Sequence, residues 1–131
     1  MDINQIIVIL LILLVVGALI YFAVQYYRGS KAAVRLEPDE FSKDLRRVQL
    51  VDLREKDDYD SGHILGARNI PMTQLKMRIE EMRRDKPVYL YEEGETLTRR
   101  AALTLQKEGF SKIYRLKGGY KGWEGRIKRN K

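Results

Sequence analysis

From Ile6 to Val24 the chain runs for 19 residues with no charged side chain, no proline and a single glycine, Gly17. Wound as an α-helix, such a run is about 28 Å long, close to the roughly 30 Å hydrocarbon core of a bilayer. It is apolar on every side, whereas a helix packed on a soluble core is apolar along one stripe. Tyr21, Phe22, Tyr26 and Tyr27 gather at its C-terminal end, where aromatic rings favour the membrane–water interface. Arg28, Lys31 and Arg35 follow, and Asp2 is the only charged side chain ahead of the run. By the positive-inside rule the N-terminus is expected outside and the rest of the chain in the cytoplasm. A cleaved signal peptide would carry a basic n-region, a shorter apolar stretch and a small-residue cleavage site. The first two are missing, and Tyr26-Tyr27-Arg28 fits the third poorly. The expectation is a retained anchor in the cell membrane: residues 1–5 outside, 6–27 as the transmembrane helix, 28–33 as a linker and 34–131 as a folded domain with a basic C-terminal tail.

The residues after the anchor are densely charged and number enough for one small core. The chain of 131 residues has no cysteine, which excludes disulfides, thiolate metal sites and a cysteine nucleophile. Its only histidine, His63, has no second good ligand near it in sequence, so neither a metal nor a cofactor is expected. Formal net charge is +7, and the basic excess collects late: Lys112, Arg115, Lys117, Lys121, Arg126, Lys128, Arg129 and Lys131 follow Phe110, with Glu124 as the one acid among them. A solvated tail accounts for this, and contact with an anionic membrane surface is the alternative, because the tether holds the domain close. Nucleic acid is not expected as a partner, since no recognition signature accompanies the charge.

Strand and helix signals alternate along the domain. Val34–Leu36 reads as a strand, and Pro38 opens a helix over 38–47 with Phe41 and Leu45 on one face. A strand over 49–53 is followed by an acidic helix over 55–61 that Gly62 stops. Residues 67–70 form a strand closed by Pro71, and Thr73 caps a helix carrying Leu75, Met77, Ile79 and Met82 to about Arg84. Then come a strand over 88–91, a loop over 92–96, a helix over 97–108, a strand over 112–116, and a Gly118-Gly119 turn into a last helix containing Trp123. This order predicts an α/β fold with a mostly parallel sheet of about five strands and helices on both faces. Ligands of such sheets sit beyond the carboxyl ends of the strands. The loop after the 88–91 strand is such a place, and the helix it opens favours an anion.

Three segments in order resemble the rhodanese-like domain family: VDLREKDDYDSGHILGARNIP (51–71), KPVYLYEEGETLTRRAALTLQKEGF (86–110) and IYRLKGGYKGW (113–123). Together they cover about residues 34–125. Asp52 and Arg54, at a strand end, are expected either to pair and fix the adjoining loops or to stand as two solvated charges. Gly62, Gly66, Gly118 and Gly119 suit positive φ or close backbone approach. The resemblance makes His63 mainly structural, and Trp123 is expected as a core anchor.

One departure affects chemistry. Active members of the family carry a cysteine directly after the strand equivalent to 88–91, and it takes up sulfur as a persulfide cradled by loop amides. Counting back from Gly109-Phe110, the resemblance puts that position at Glu92. The loop reads Glu92, Glu93, Gly94, Glu95, Thr96, Leu97, Thr98, then Arg99. A carboxylate is a weak nucleophile toward sulfane sulfur and repels thiosulfate or phosphate. Thr98 matches the small hydroxyl residue near the loop's end, which would keep the helix cap. The acids are either a solvated turn or a repurposed loop, one that meets a basic partner or fills its own anion site. The leading expectation is a non-catalytic, membrane-tethered module that binds a protein partner. A sulfurtransferase borrowing a partner's thiol is the alternative. An enzyme using Glu92 as a general base has no paired acid or metal cluster to support it.

Overall fold

The structure, a computed structural model, describes residues 1–130; Lys131, counted above with the basic tail, lies outside the described residues. A helix α1 (Ile3–Ala32) precedes the domain. Asp2 caps it: its carboxylate accepts the Gln5 amide at 2.9 Å, and the Gln5 side chain accepts the Asp2 amide at 3.1 Å. The helix is long and apolar enough to cross a membrane, and the large apolar side chains of its span, Ile6 to Val24, are uncovered by the rest of the protein.

The domain is built on a five-stranded, all-parallel sheet of β1 (Val34–Leu36), β2 (Gln49–Asp52), β4 (Arg68–Asn69), β5 (Val88–Tyr91) and β6 (Ile113–Leu116), in the order β1-β6-β5-β2-β4. The period of two along the strands sorts side chains into two cores. Val51, Val88, Leu90 and Ile113 join Ala101, Ala102 and Leu105 of α4 (Thr96–Lys107) on one face. Leu50, Tyr89, Tyr91 and Leu116 join Phe41 of α2 (Pro38–Ser42) on the other. The helix α3 (Lys56–Ser61) follows β2, and a small antiparallel pair, β3 (His63–Ile64) with β7 (Ile127–Lys128), lies outside the main sheet.

Several expected elements take a different form. Residues 28–32 are no linker, because α1 runs through them to Ala32. Tertiary contact supplies the reason. Gly29 sits so close to α4 that a Cβ there would lie 3.2 Å from the Arg99 Cβ and 3.2 Å from its carbonyl oxygen. Ala32 and Ala33 are buried in the same core as α4. The helix over 38–47 ends at Ser42 and continues as turns. The helix expected from Thr73 to Arg84 is instead two 3-10 turns, Met72–Gln74 and Ile79–Glu81. Leu75, Ile79 and Met82 still reach the core, while Met77 is 80% exposed. The last helix is one 3-10 turn, Tyr120–Gly122. Trp123 meets its expected anchoring role in part: it is half-buried and packs against the second core, edge-on to Phe41 at 6.1 Å.

Candidate functional site

The carboxyl ends of β2 and β5 bring three segments together: 52–54, the loop 92–95 and the turn 118–120. Asp52 is fully buried and paired with Arg54, Oδ2 to Nη2 at 2.8 Å, and it also accepts the Arg54 amide at 2.8 Å. Of the two readings of this pair, the structural one holds. Arg54 donates further to the Gly62 carbonyl at 2.6 Å and to Glu93 Oε2 at 3.3 Å, and its guanidinium lies 4.1 Å over the Tyr120 ring. Burial works against its charge, but the hydrogen bonds and charge of Asp52 more than offset this and move its pKa up. Burial, followed by the Asp52 charge, likewise raises the Tyr91 phenol. That phenol oxygen accepts the Ile64 amide at 3.0 Å. His63 is buried, with Nδ1 donating to the Tyr59 carbonyl at 2.7 Å and its ring stacked on Tyr59 at 3.7 Å. Its place is structural.

Glu92 leaves the end of β5 and turns back into its own loop. It is 8% exposed. Oε1 accepts the Gly94 amide at 3.4 Å, and Oε2 accepts the amide of Leu97 in the first turn of α4. The free amides of the helix start thus receive a carboxylate from within the chain. Thr98 is buried and its hydroxyl donates to the Glu95 carbonyl at 2.9 Å. It braces the turn, while the cap on the helix amide comes from Glu92. Thr96 is exposed at the first helical position.

The loop's other acids have separate partners. Glu95 faces the sheet edge. It takes Arg35 Nε at 2.6 Å and Nη2 at 2.8 Å, Arg115 Nη1 at 2.8 Å and the Gly118 amide at 3.1 Å. The Arg35 hydrogen bond chiefly, then the Gly118 amide and the charges of Arg35 and Arg115, outweigh burial and lower its pKa from 4.5 to about 2. Glu93 is the outward-facing acid, 56% exposed. On the facing turn, Gly119 has φ +65°, and a Cβ there would fall 2.4 Å from the carbonyl oxygens of Glu93 and Gly94. Only glycine lets this turn close on the loop, so that Tyr120 and Lys121 amides reach the Glu92 and Glu93 carbonyls at 2.8 and 3.2 Å. Gly118 and Gly66 also have positive φ. Gly62 is extended, and what it permits is close approach of the Tyr120 hydroxyl, 2.7 Å from where a Cβ would be.

Arg99 lies away from the cradle, its guanidinium 4.6 Å over the Tyr26 ring of α1. The site also uses residues that sequence reasoning placed elsewhere. Arg35 stood out only as a topology charge, and Arg115 only as part of the basic tail. A signal for Arg115 did exist: in the strand IYRL it shares an inward face with Ile113, which a basic residue takes only with a partner.

Comparison with known proteins fits this geometry. The family model described as rhodanese-like domain matches residues 37–126. An uncharacterized Bacillus subtilis protein, YqhL, is 46% identical over 123 residues, covering 93% of this chain and 98% of that one. The thiosulfate sulfurtransferase GlpE of Coxiella burnetii is 30% identical over 79 residues, 60% of this chain and 74% of that protein. The solution structure of a rhodanese-like domain from an Anabaena protein superposes with a TM-score of 0.67 at 25% identity, covering 72% of this chain and 78% of that one. With its sheet, its loop at the carboxyl ends of β2 and β5 and its sequence in agreement, the chain belongs to the rhodanese-like domain family.

Proposed function

We propose that this is a membrane-tethered rhodanese-like module on the cytoplasmic face that recruits or scaffolds a protein partner and performs no sulfur transfer of its own. The observation that carries this reading is Glu92. It stands where the family resemblance puts the sulfur-carrying cysteine, and it occupies with its own carboxylate the amides of Gly94 and Leu97 that would otherwise face a bound anion. With no cysteine anywhere in the chain, a persulfide has no sulfur to form on. The orientation rests on Arg28, Lys31 and Arg35 following the apolar run with no basic residue before it. Glu95 is held by Arg35 and Arg115, whereas Glu93, though 3.3 Å from Arg54, is 56% exposed and is the loop acid a partner can reach.

The reading is tested by titrating sulfate into the full chain in micelles while following loop amide resonances. Wild type is expected to show little response, and Glu92→Gly, with its cradle opened, is expected to shift at Gly94 and Leu97. Equal responses would mean that Glu92 does not plug the cradle. A second reading is sulfur handling with a thiol lent by a partner. It is favoured by the Coxiella relative, a thiosulfate sulfurtransferase, and requires that thiol to displace the Glu92 carboxylate.

A further inference from the structure

The end of α1 and the outer face of α4 enclose a groove of about 590 Å³. On the α1 side it is lined by Tyr21, Phe22 and Tyr26, the aromatic residues expected at the membrane–water interface. On the α4 side stand Arg99, Arg100 and Lys107, and no carboxylate lines it. Arg100 and Lys107 lie seven residues apart, two helical turns, and so share one stripe of α4. Both are exposed, and neither has an ion pair among the described residues.

Behind this stripe the charge is unbalanced. Arg35 and Arg115 share Glu95, and Arg99 adds a further positive charge beside Arg115. The Nε atoms of Arg99 and Arg115 are buried without a hydrogen-bond partner. Burial first, and then the charge of Arg99, push the Arg115 pKa down, as expected where cations outnumber anions. Positive charge therefore outweighs negative beside the groove. Tyr21, Phe22 and Tyr26 put the groove at the level where α1 would leave the bilayer.

We propose that this groove binds one anionic phospholipid, its phosphate held by Arg100, Lys107 and the Arg99 guanidinium, and its chain lying along Phe22 and Tyr26. The inference rests on α1 spanning the membrane. It moves lipid recognition away from the basic C-terminus. There Ile127–Lys128 pairs with β3, whose Ile64 belongs to the core on the opposite face of the sheet from α4.

The test uses the full chain reconstituted with mixed phosphatidylglycerol and phosphatidylcholine, then released in mild detergent for native mass spectrometry. Wild type should retain one phosphatidylglycerol in preference to phosphatidylcholine. Arg100→Gln with Lys107→Gln should retain it at least about tenfold less, given the worth of a basic residue at an anionic surface. Arg46→Gln with Arg47→Gln, on the other side of the domain, should behave as wild type, and melting curves show that all three chains are folded. Equal retention of the two lipids, or equal loss in both double variants, overturns the proposal. Protection against melting by inorganic phosphate equal to that by phosphatidylglycerol reassigns the site to a free anion and overturns it too. Extraction of the chain from vesicles by alkaline carbonate removes the spanning reading, and this proposal with it. Loss of lipid preference in a chain that stays embedded removes the proposal alone.

Discussion

At the scale of single residues, the site is held by contacts that leave little room for substitution. Gly119 combines a positive φ with carbonyl oxygens 2.4 Å from any added Cβ. Gly119→Ala is expected to cost about 3 kcal/mol, backbone strain and displaced loop together, read as a lower urea midpoint. Arg54 is the other point of failure. Replacing it with Ala leaves the Asp52 carboxylate buried and unpaired, with an expected cost of about 3–5 kcal/mol. Unchanged stability of Arg54→Ala would show that the pair is not structural. The Asp52–Arg54 pairing was legible as one of two options, paired or solvated, and burial at the strand end decides for the pair. The inward turn of Glu92 was legible only as one of two options, because its side chain is long enough to point either way. The ties of Glu95 to Arg35 and Arg115 were not legible. They join residues 60 and 20 positions apart, through a sheet order that no local pattern encodes.

At the scale of elements, Glu95 fastens the loop to β1 and β6. Its folded pKa of about 2 lies below its ordinary 4.5, so the folded state is the weaker proton binder. The stabilisation is therefore full above about pH 4.5 and is lost as pH falls toward about 2. Glu95→Gln should be less stable by about 2–3 kcal/mol near neutral pH, less than for a fully buried pair because Arg35 is 45% exposed. The variant should also lose less on acidification than wild type, as urea titrations at both pH values would show. Parallel acid profiles would place the acid sensitivity elsewhere. The junction of α1 with α4 is equally specific. Gly29→Leu is expected to separate the helices and expose Arg28 and Lys31 to trypsin, whereas the wild-type junction resists. Fast cleavage of wild type would restore the flexible linker that Gly-Ser-Lys suggests in sequence. That suggestion failed because weak helix propensity gave way to tertiary packing. The 73–84 segment failed differently. Of its apolar run, Leu75, Ile79 and Met82 do turn inward and Met77 does not, because two 3-10 turns joined by a further turn can bury the same three side chains as an α-helix would. The β3–β7 pair, two residues on each side, carried no periodic signal at all.

At the scale of the whole molecule, α1 leads without a break into its docking on α4, so on the proposed reading the anchor fixes the pose of the domain rather than hanging it on a loose tether. A reporter fused after Lys131 should be active only if it is of a cytoplasmic type, and protease outside intact cells should leave the domain untouched. Removal of the domain by external protease would reverse the orientation. The alternation of strands and helices fixed the architecture from sequence, because each parallel strand needs a crossover to return. The central claim is that this chain keeps the sulfurtransferase fold without sulfur transfer, and it is tested most directly by assaying thiocyanate release from thiosulfate and cyanide with the full chain, purified free of host rhodanese. Release at the protein-free background is the predicted result. Release that rises above background in proportion to the chain would contradict it.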